Sequence, residues 1–340
     1  INGLGALDTQ QIITNIDWPD HLLTEDLDGD GDMDIICDSW VEDKIIWYKN
    51  TDGMGSFSAE QVITTSIDGS RDIHTSDIDG DGDMDVLSAS FDDKIAWYEN
   101  TDGLGTFGVQ QIITTNPNDA FSVYPADIDG DGDNDVLSAS GNDGIISWYE
   151  NTDGLGTFGD EQVISTNASG AKRVRAADLD LDGDIDVLST SYVTGLNWYE
   201  NTDGLGTFGP QLVVSSVGGI GAYSLSTTDM DGDGDLDILT TYLDGNIINW
   251  YENTTLLGID DNTPISISVY PNPTNGILIL ESPQPLDQID IYNQLGQIVC
   301  SNTHLSKGNT IDISNLDHGI YLIKFKNDDE VISIQKIVKS

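Results

Sequence analysis

The residues with the clearest chemical capacity are aspartates in regular array. The string Asp-x-Asp-x-Asp-Gly-Asp-x-Asp begins at Asp26, Asp77, Asp127, Asp178 and Asp229. The loops so marked offer Asp26, Asp28, Asp30, Asp32 and Asp34; Asp77, Asp79, Asp81, Asp83 and Asp85; Asp127, Asp129, Asp131, Asp133 and Asp135; Asp178, Asp180, Asp182, Asp184 and Asp186; and Asp229, Asp231, Asp233, Asp235 and Asp237. Alternating carboxylates with glycine between them let a tight loop fold several oxygens onto one point, because glycine takes up the positive-φ turn that other residues resist. An all-oxygen set suits a hard cation of flexible coordination, Ca2+, better than Mg2+, which demands a strict octahedron. By analogy with EF-hand loops, the first, third, fifth and ninth positions give side-chain oxygens and the seventh its backbone carbonyl. Asp26, Asp28, Asp30 and Asp34 would then ligate through side chains and Asp32 through its main chain. About five structural ions are expected. Leu181 replaces the first glycine of the fourth loop, which predicts a weaker or distorted site there. A solvated acidic turn is the plain alternative, but clustered unpaired carboxylates repel one another, and five copies in one register argue against it.

The overall charge points the same way. Asp and Glu total 60 against 12 Lys and Arg, a formal net charge of −48. A folded body of that charge repels itself unless cations neutralise part of it. Nucleic acid and anionic membrane are excluded as partners, since both require a basic surface. No run of 18 apolar residues exists, so no transmembrane helix is expected. No signal peptide is present, so an exported protein would be read here in its processed form. Cys37 and Cys300 are expected to be small buried hydrophobes rather than a disulfide.

The elements that must hold these loops repeat with them. The steps between loops are 51, 50, 51 and 51 residues. Trp-Tyr-x-Asn recurs at Trp47, Trp97, Trp148, Trp198 and Trp250, and Gly-x-Gly-x-Phe at Gly53, Gly103, Gly154 and Gly204. Apolar runs between the turns have strand length and composition, as in Ser122–Tyr124, Asp135–Ala139 and Ile145–Tyr149 of the third unit, with Gln111–Thr114 at its edge. No helix is predicted. Four strands in about 50 residues make one propeller blade. Asn2-Gly3-Leu4-Gly5 and Gln10–Thr14 supply the piece that the fifth unit lacks, so the N-terminal strand can complete the last blade and remove an exposed edge. The expected fold is all-β: a five-bladed propeller closed by the N-terminal strand over residues 1–258. An open array and a piece of a larger ring remain alternatives. These repeats resemble the FG-GAP/VCBS family of Ca2+-binding propeller blades, related to those of integrin α-subunit heads. The resemblance covers about residues 1–255 and implies a structural metal tying the first two strands of each blade.

Antiparallel strands put the metal loops and the Asn-Thr-Asp-Gly turns on one nearly invariant face. The links between units and the turns between second and third strands fall on the other, which differs from blade to blade and is where a ligand would sit. Its candidate contacts are Trp18, Trp40, Arg71, His74, Phe91, Phe121, Tyr124, Lys172, Arg173, Arg175, Tyr192, Tyr223 and Tyr242, aromatic and charged groups suited to a sugar ring or a protein loop. Drift in unconstrained loops is the competing reading. The recurring Trp of Trp-Tyr-x-Asn reads instead as packing between blades. Channel-lining positions, taken three and one residues before each loop, contain one acid, Glu25. No catalytic constellation stands out, so a binding protein is expected over an enzyme. A glycan-active propeller enzyme and a structural surface protein are the alternatives.

Residues 259–264 read as a linker. Beyond them Ile265–Val269, Ile277–Leu280, Gln288–Tyr292, Ile320–Phe325 and Val331–Ile334 alternate as short strands of a small β-sandwich, residues 265–340. Tyr270-Pro271-Asn272-Pro273 with Gly276, Ile291-Tyr292-Asn293 with Leu295-Gly296, Leu316 through Gly319-Ile320-Tyr321, and the ending Lys336-Ile337-Val338-Lys339 resemble the type A C-terminal sorting domain of the type IX secretion system. That resemblance implies a Bacteroidetes-type cell, recognition of residues 265–340 by the translocon, and a secreted or surface-attached product. A small adhesion or targeting module is the reading without the resemblance.

Overall fold

The computed structural model describes residues 10–215, 221–254, 267–282, 286–293, 297–305, 310–327 and 330–340. The chain forms two compact units, Ile1–Asn253 and Thr254–Ser340. Among the described residues there is no helix.

The first unit is a series of antiparallel meanders. β1 Pro19–Glu25, β2 Asp34–Ser39, β3 Lys44–Tyr48 and β4 Gln61–Thr64 form the first sheet. β5 Ser70–Ser76, β6 Asp85–Ser90, β7 Ile95–Tyr98 and β8 Gln111–Thr114 form the second, and β9 Ala120–Ala126, β10 Asp135–Ser140, β11 Ile146–Tyr149 and β12 Gln162–Ser165 the third. β13 Ala171–Ala177, β14 Asp186–Ser191, β15 Gly195–Tyr199 and β16 Leu212–Ser215 form the fourth. β17 Ala222–Thr228, β18 Asp237–Tyr242 and β19 Ile247–Tyr251 make a fifth of three strands. Gln111–Thr114 pairs with β7, so it closes the second sheet and is not the edge of the third. The second strands of the middle sheets, such as Asp-Val-Leu-Ser-Ala-Ser in β6 and β10, are buried along their whole length. After the leading aspartate they are apolar or small, because each of these sheets is covered on both faces.

Successive sheets meet through one repeated joint. The ring of Trp47 lies where a Cβ on Gly105 would stand 2.2 Å from its Cζ2, and Trp97 and Trp148 lie likewise against Gly156 and Gly206. Only glycine leaves that space, and each also has positive φ. A hydrogen bond accompanies the joint: Asn100 Nδ2 donates to Leu27 O at 2.8 Å, Asn151 to Ile78 O at 2.8 Å, Asn201 to Ile128 O at 2.9 Å and Asn253 to Leu179 O at 2.7 Å.

The N-terminal piece differs from expectation. Residues 10–16 carry no strand, and among the described residues the fifth sheet ends on β19, where Ile248 is 78% and Trp250 48% exposed. The segment is held by the first sheet instead of by ladder bonds to β19. Ile16 packs against Cys37, Ile46 and Tyr48, and Thr14 sits beside the Tyr48 hydroxyl. Asn2–Gly5 lies outside the described residues.

In the second unit β20 Ser268–Tyr270, β21 Ile277–Glu281 and β24 Thr310–Asp312 form one sheet. β22 Leu286–Tyr292, β23 Ile298–Leu305, β25 Gly319–Asn327 and β26 Glu330–Lys339 form another, in the order β23-β22-β25-β26. Leu278, Leu280 and Ile311 from one and Ile289, Ile291, Ile323, Phe325 and Ile337 from the other share a single core. β23 and β24 were not foreseen; Ser, Asn, Thr and His in Ile298–Leu305 hide its alternation. Residues 259–264, expected as linker, and Ile265–Ser266 lie outside the described residues. Both cysteines are free thiols, Cys37 buried and Cys300 half-buried.

Candidate metal loops and ligand face

Each acidic loop joins the first and second strands of its sheet, and its own hydrogen bonds shape it. The first aspartate accepts from the backbone N–H five residues on: Gly31 to Asp26, Gly82 to Asp77, Gly132 to Asp127, Gly183 to Asp178 and Gly234 to Asp229, at 2.9–3.2 Å. The last aspartate is buried and ties the loop to the turn between third and fourth strands. In the second unit Asp85 Oδ2 accepts from Ile78 N at 3.0 Å and Oδ1 from Asn100 N at 2.8 Å, and Asp34, Asp135, Asp186 and Asp237 do the same with their counterparts. The seventh-position side chains Asp32, Asp83, Asp133 and Asp184 lie against Gly53, Gly103, Gly154 and Gly204. Metal loop and Asn-Thr-Asp-Gly turn are therefore on one face.

Carboxylate oxygens converge within 4.8 Å of one another in every loop: Asp26, Asp28 and Asp34; Asp77, Asp79 and Asp85; Asp127, Asp129 and Asp135; Asp178, Asp180 and Asp182; Asp229, Asp231 and Asp233. The seventh-position carboxylates Asp32, Asp83, Asp133, Asp184 and Asp235 stay outside these groups. The fifth-position side chains Asp30, Asp81 and Asp131 also stay outside in the first three loops. Burial pushes the carboxyls of Asp85 and Asp135 up to about 7 and that of Asp186 to about 6, with neighbouring acids adding to it. Asp28 Oδ1 and Asp178 Oδ1 are buried with no hydrogen-bond donor. Oxygens that are convergent, anionic and short of donors fit a hard divalent cation. Leu181 takes φ 63° in the fourth loop, a left-handed conformation that costs a leucine about 1 kcal/mol.

The first loop has a feature the others lack. Its Trp-Tyr-x-Asn string carries Lys49 where the others carry Glu99, Glu150, Glu200 and Glu252. Lys49 Nζ bonds Asp28 and, at 2.9 Å, Asp30 Oδ2. Both contacts hold the Lys49 ammonium well above its ordinary range.

On the opposite face each link between units meets the following turn: Trp40 N donates to Trp18 O, Phe91 N to Asp68 O, Gly141 N to Asp119 O, Tyr192 N to Gly170 O and Leu243 N to Gly221 O. Most of the candidate contacts gather here. The Arg71 guanidinium lies over Trp40 at 6.0 Å, Phe91 at 5.0 Å and Phe121 at 5.0 Å. Lys172 Nζ lies 3.6 Å and Arg173 5.5 Å from the Phe121 ring, and Arg173 is 5.8 Å from that of Tyr223. Trp18 and Trp40 are 6.1 Å apart, with Trp18 67% exposed. Phe121, expected as a surface contact, is buried beneath these cations. Tyr192 stands apart, its hydroxyl donating to Asp244 at 2.8 Å. Tyr242, also expected at the surface, is buried: it ends β18 where other sheets have Ser39, Ser90, Ser140 and Ser191, and the turn position belongs to Leu243.

Beneath this cluster the first strands converge. Arg173 Nη2 donates to His21 Nε2 at 2.9 Å, linking β13 to β1, and His21 Nδ1 stands 3.1 Å from Asp38 Oδ2. Asp72, almost fully buried, lies 3.6 Å from His21, 3.9 Å from His74 and 4.0 Å from Arg175, and accepts from Ser122 Oγ at 2.6 Å. Burial opposes its ionisation, but Arg173, His74, Arg175 and His21 outweigh burial and hold its carboxyl below the usual range. Burial lowers His74 to about 4; its Nε2 has no hydrogen-bond partner and its ring meets Tyr124 edge-on at 4.9 Å. Arg175 lies 4.9 Å from the Tyr124 ring. Burial opposes the charge of His21, and Asp38 and Asp72 raise its pKa. Asp72 and His21 were missed in the sequence because the converging layer lies five residues before each loop, above the layers three and one residues before it. Glu25 instead accepts from Thr75 Oγ1 at 3.2 Å.

Residues 26–88, 77–138, 127–189 and 178–240 each match the FG-GAP-like repeat. The chain belongs to the FG-GAP-like repeat family. Residues 268–340 of this FG-GAP-like protein match the secretion system C-terminal sorting domain. That domain marks it for secretion or attachment to the cell surface and implies interaction with the type IX secretion machinery. No helix among the described residues is long and apolar enough to cross a membrane. A curated relative, an ulvan lyase of Nonlabens ulvanivorans, is 33% identical over 92 residues, which is 26% of this chain and 17% of the lyase. The chain thus spans about a sixth of that relative. Among solved structures, an Agrocybe aegerita lectin described as recognising non-reducing terminal N-acetylglucosamine is 22% identical, with 69% of this chain and 66% of that chain covered and a TM-score of 0.49. PorZ of Porphyromonas gingivalis is 12% identical, with 93% and 45% covered and a TM-score of 0.46. At such scores neither carries weight for the ligand.

Proposed function

We propose that this is a calcium-stabilised binding protein of the outer cell surface or medium, with a carbohydrate or protein ligand on the variable face. Residues 1–258 form a five-bladed propeller closed by the N-terminal strand, 259–264 the linker, and 265–340 the sorting domain engaged by the translocon. The observation that carries the reading is the convergence of three carboxylates within 4.8 Å in all five loops, opposite a face rich in aromatic and cationic groups. The ions fix the loops between first and second strands, and the rigid sheets hold the variable face in shape. Closure is supported by position: Thr14 stands beside Tyr48 as Thr64, Thr114 and Ser165 stand beside Tyr98, Tyr149 and Tyr199. Thr14 thus stands, against the first sheet, where the end of a preceding sheet's fourth strand stands elsewhere, which supports the reading.

Thermal unfolding with calcium and then with excess EDTA tests the metal, because cations bound only by the folded state stabilise it by mass action. A large fall in melting temperature on chelation is expected; an unchanged melt would refute structural calcium. Glycan-array binding lost in Trp18→Ala or Tyr223→Ala tests the face. A glycan-active enzyme is the second reading, favoured by the buried Asp72 beside the half-buried His21 and His74 and by the short match to an ulvan lyase. Polysaccharide turnover that disappears in Asp72→Asn, with the fold intact, would establish it.

A further inference from the structure

Every arginine of this strongly acidic chain lies in one place. Arg71, Arg173 and Arg175 are its three arginines, and Lys172 stands with them. Elsewhere in the first unit cations are saturated: Lys44 bonds Glu42 and Glu60, Lys49 bonds Asp28 and Asp30, and Lys94 bonds Asp92. The clustered cations are not. Arg71 has Asp119 at 3.5 Å and Arg175 has Asp72 at 4.0 Å, while Lys172 and Arg173 have no carboxylate within 4 Å among the described residues. Arg173 donates to the Phe121 and Lys172 carbonyls and to His21. In a chain with 60 acids, these four adjacent cations share only two carboxylates within 4 Å, Asp119 and Asp72, and so outnumber their anions. His74 Nε2 and Arg71 Nε, both buried without a hydrogen-bond partner, add unmet polar capacity at the same place.

We propose that Arg71, Lys172, Arg173 and Arg175 receive the carboxylate or sulfate groups of an acidic polysaccharide, whose sugar rings stack on the neighbouring aromatic rim. This rests on the reading of the variable face as a binding surface and names its ligand class. Guanidinium groups match planar or tetrahedral oxyanions through paired N–H donors. Trp18, Trp40 and Phe91 flank them with exposed ring surface. An acidic peptide is disfavoured because the rim offers little main chain to pair with. The N–H groups of Trp40, Phe91, Gly141, Tyr192 and Leu243 are already bonded to the links between units.

Calorimetric titration of the full chain in calcium tests this with tetragalacturonate, its methyl ester, a κ-carrageenan tetrasaccharide and a tetraglutamate peptide. The charged sugars are expected to bind, more weakly at high salt. The ester is expected to bind roughly tenfold less tightly, and Lys172→Gln to weaken the charged sugars by a similar factor with an unchanged melt, as for loss of one charge-assisted bond. The carboxylate-to-sulfate preference identifies the acid group. Tetraglutamate binding as tightly as the sugars overturns the proposal in favour of an acidic peptide. Ester and acid binding alike, with Lys172→Gln unaffected, overturns the anion preference and leaves the binding face standing. Silence from every probe and from a neutral-glycan array removes both.

Discussion

Two residues set how this protein responds to its medium. Lys49 places an ammonium among Asp28 and Asp30, where the other units direct a glutamate toward their loops. On the proposed calcium reading, an ion entering the first loop has to displace that cation, so this loop should bind it more weakly than its undistorted counterparts. Lys49→Glu is expected to raise the calcium bound per chain by one, or to tighten the weakest class of sites, in equilibrium dialysis; an unchanged isotherm would show that the ammonium yields without penalty. His74 carries one part of the acid response, and the raised carboxyls of Asp85, Asp135 and Asp186 run against it, since the fold holds their protons more tightly. Unfolded, it takes up a proton near 6.5; folded, burial delays this to about 4. Between those values the unfolded chain binds more protons at this residue, so its own contribution to stability falls as pH falls, by up to about 3 kcal/mol at pH 4. His21 runs the opposite way, since its raised pKa contributes stability below about 6.5 that is lost as pH rises. The melting temperature of His74→Asn should therefore decline less steeply from pH 6.5 to 4.5 than that of the parent, and equal slopes would mean that His74 is protonated in the fold. The acid loops were legible from spacing alone, whereas Lys49 in Trp-Tyr-Lys-Asn became meaningful only when the fold brought the third residue of that string to the loop.

At the scale of elements, the stacking of sheets depends on a tryptophan meeting a glycine one unit later. Both residues recur in the sequence, and Trp-Tyr-x-Asn reads there as inter-blade packing, but which glycine faces which tryptophan follows from the sheets' order. Gly156→Ala would put a Cβ 2.3 Å from Trp97 Cζ2 at φ 80°. Overpacking and left-handed strain together should destabilise the unit by about 3 kcal/mol. Gly108, with ordinary φ and its nearest neighbour Thr101 Cγ2 at 3.4 Å, gives the comparison: Gly108→Ala should change stability by under about 1 kcal/mol. Similar losses in urea unfolding would deny the joint its importance. The converging layer of His21, Asp72, Ser122 and Arg173 was less legible. It lies at β-bulges, where register shifts between Ser70 and Asp72 and between Ala171 and Arg173, so simple alternation does not single it out. A buried acid among histidines and arginines also has no periodic signature.

For the molecule as a whole, the seam between the fifth sheet and the first differs from the other joints. Four joints carry the Asn-to-carbonyl bond, and the first three also carry the tryptophan–glycine contact. At the seam Trp250 is half-exposed, and no atom stands within 4 Å of a Cβ on Gly55, the glycine that an incoming tryptophan would meet. Among the described residues no strand pairs with the outer edge of β19, and such an edge, with Ile248 exposed, is open to pairing with another chain. The other sheets fix how residues 10–14 would cover it. Trp47 pairs with Gln61 and Ile46 with Val62, so Trp250 would pair with Gln11 and Asn249 with Ile12. Cross-strand Cβ atoms at such positions lie about 4.5–5.5 Å apart, close enough for a disulfide with modest adjustment. In a Cys37→Ala, Cys300→Ala background, Ile12→Cys with Asn249→Cys should therefore crosslink under mild oxidation and raise the melting temperature, because the bond closes a loop of more than 200 residues. Shifting one cysteine to Ile13 should abolish the crosslink, since that residue points to the other face. Efficient crosslinking from both positions would indicate a mobile tail, and none from either would leave the fifth sheet a true edge and the ring open.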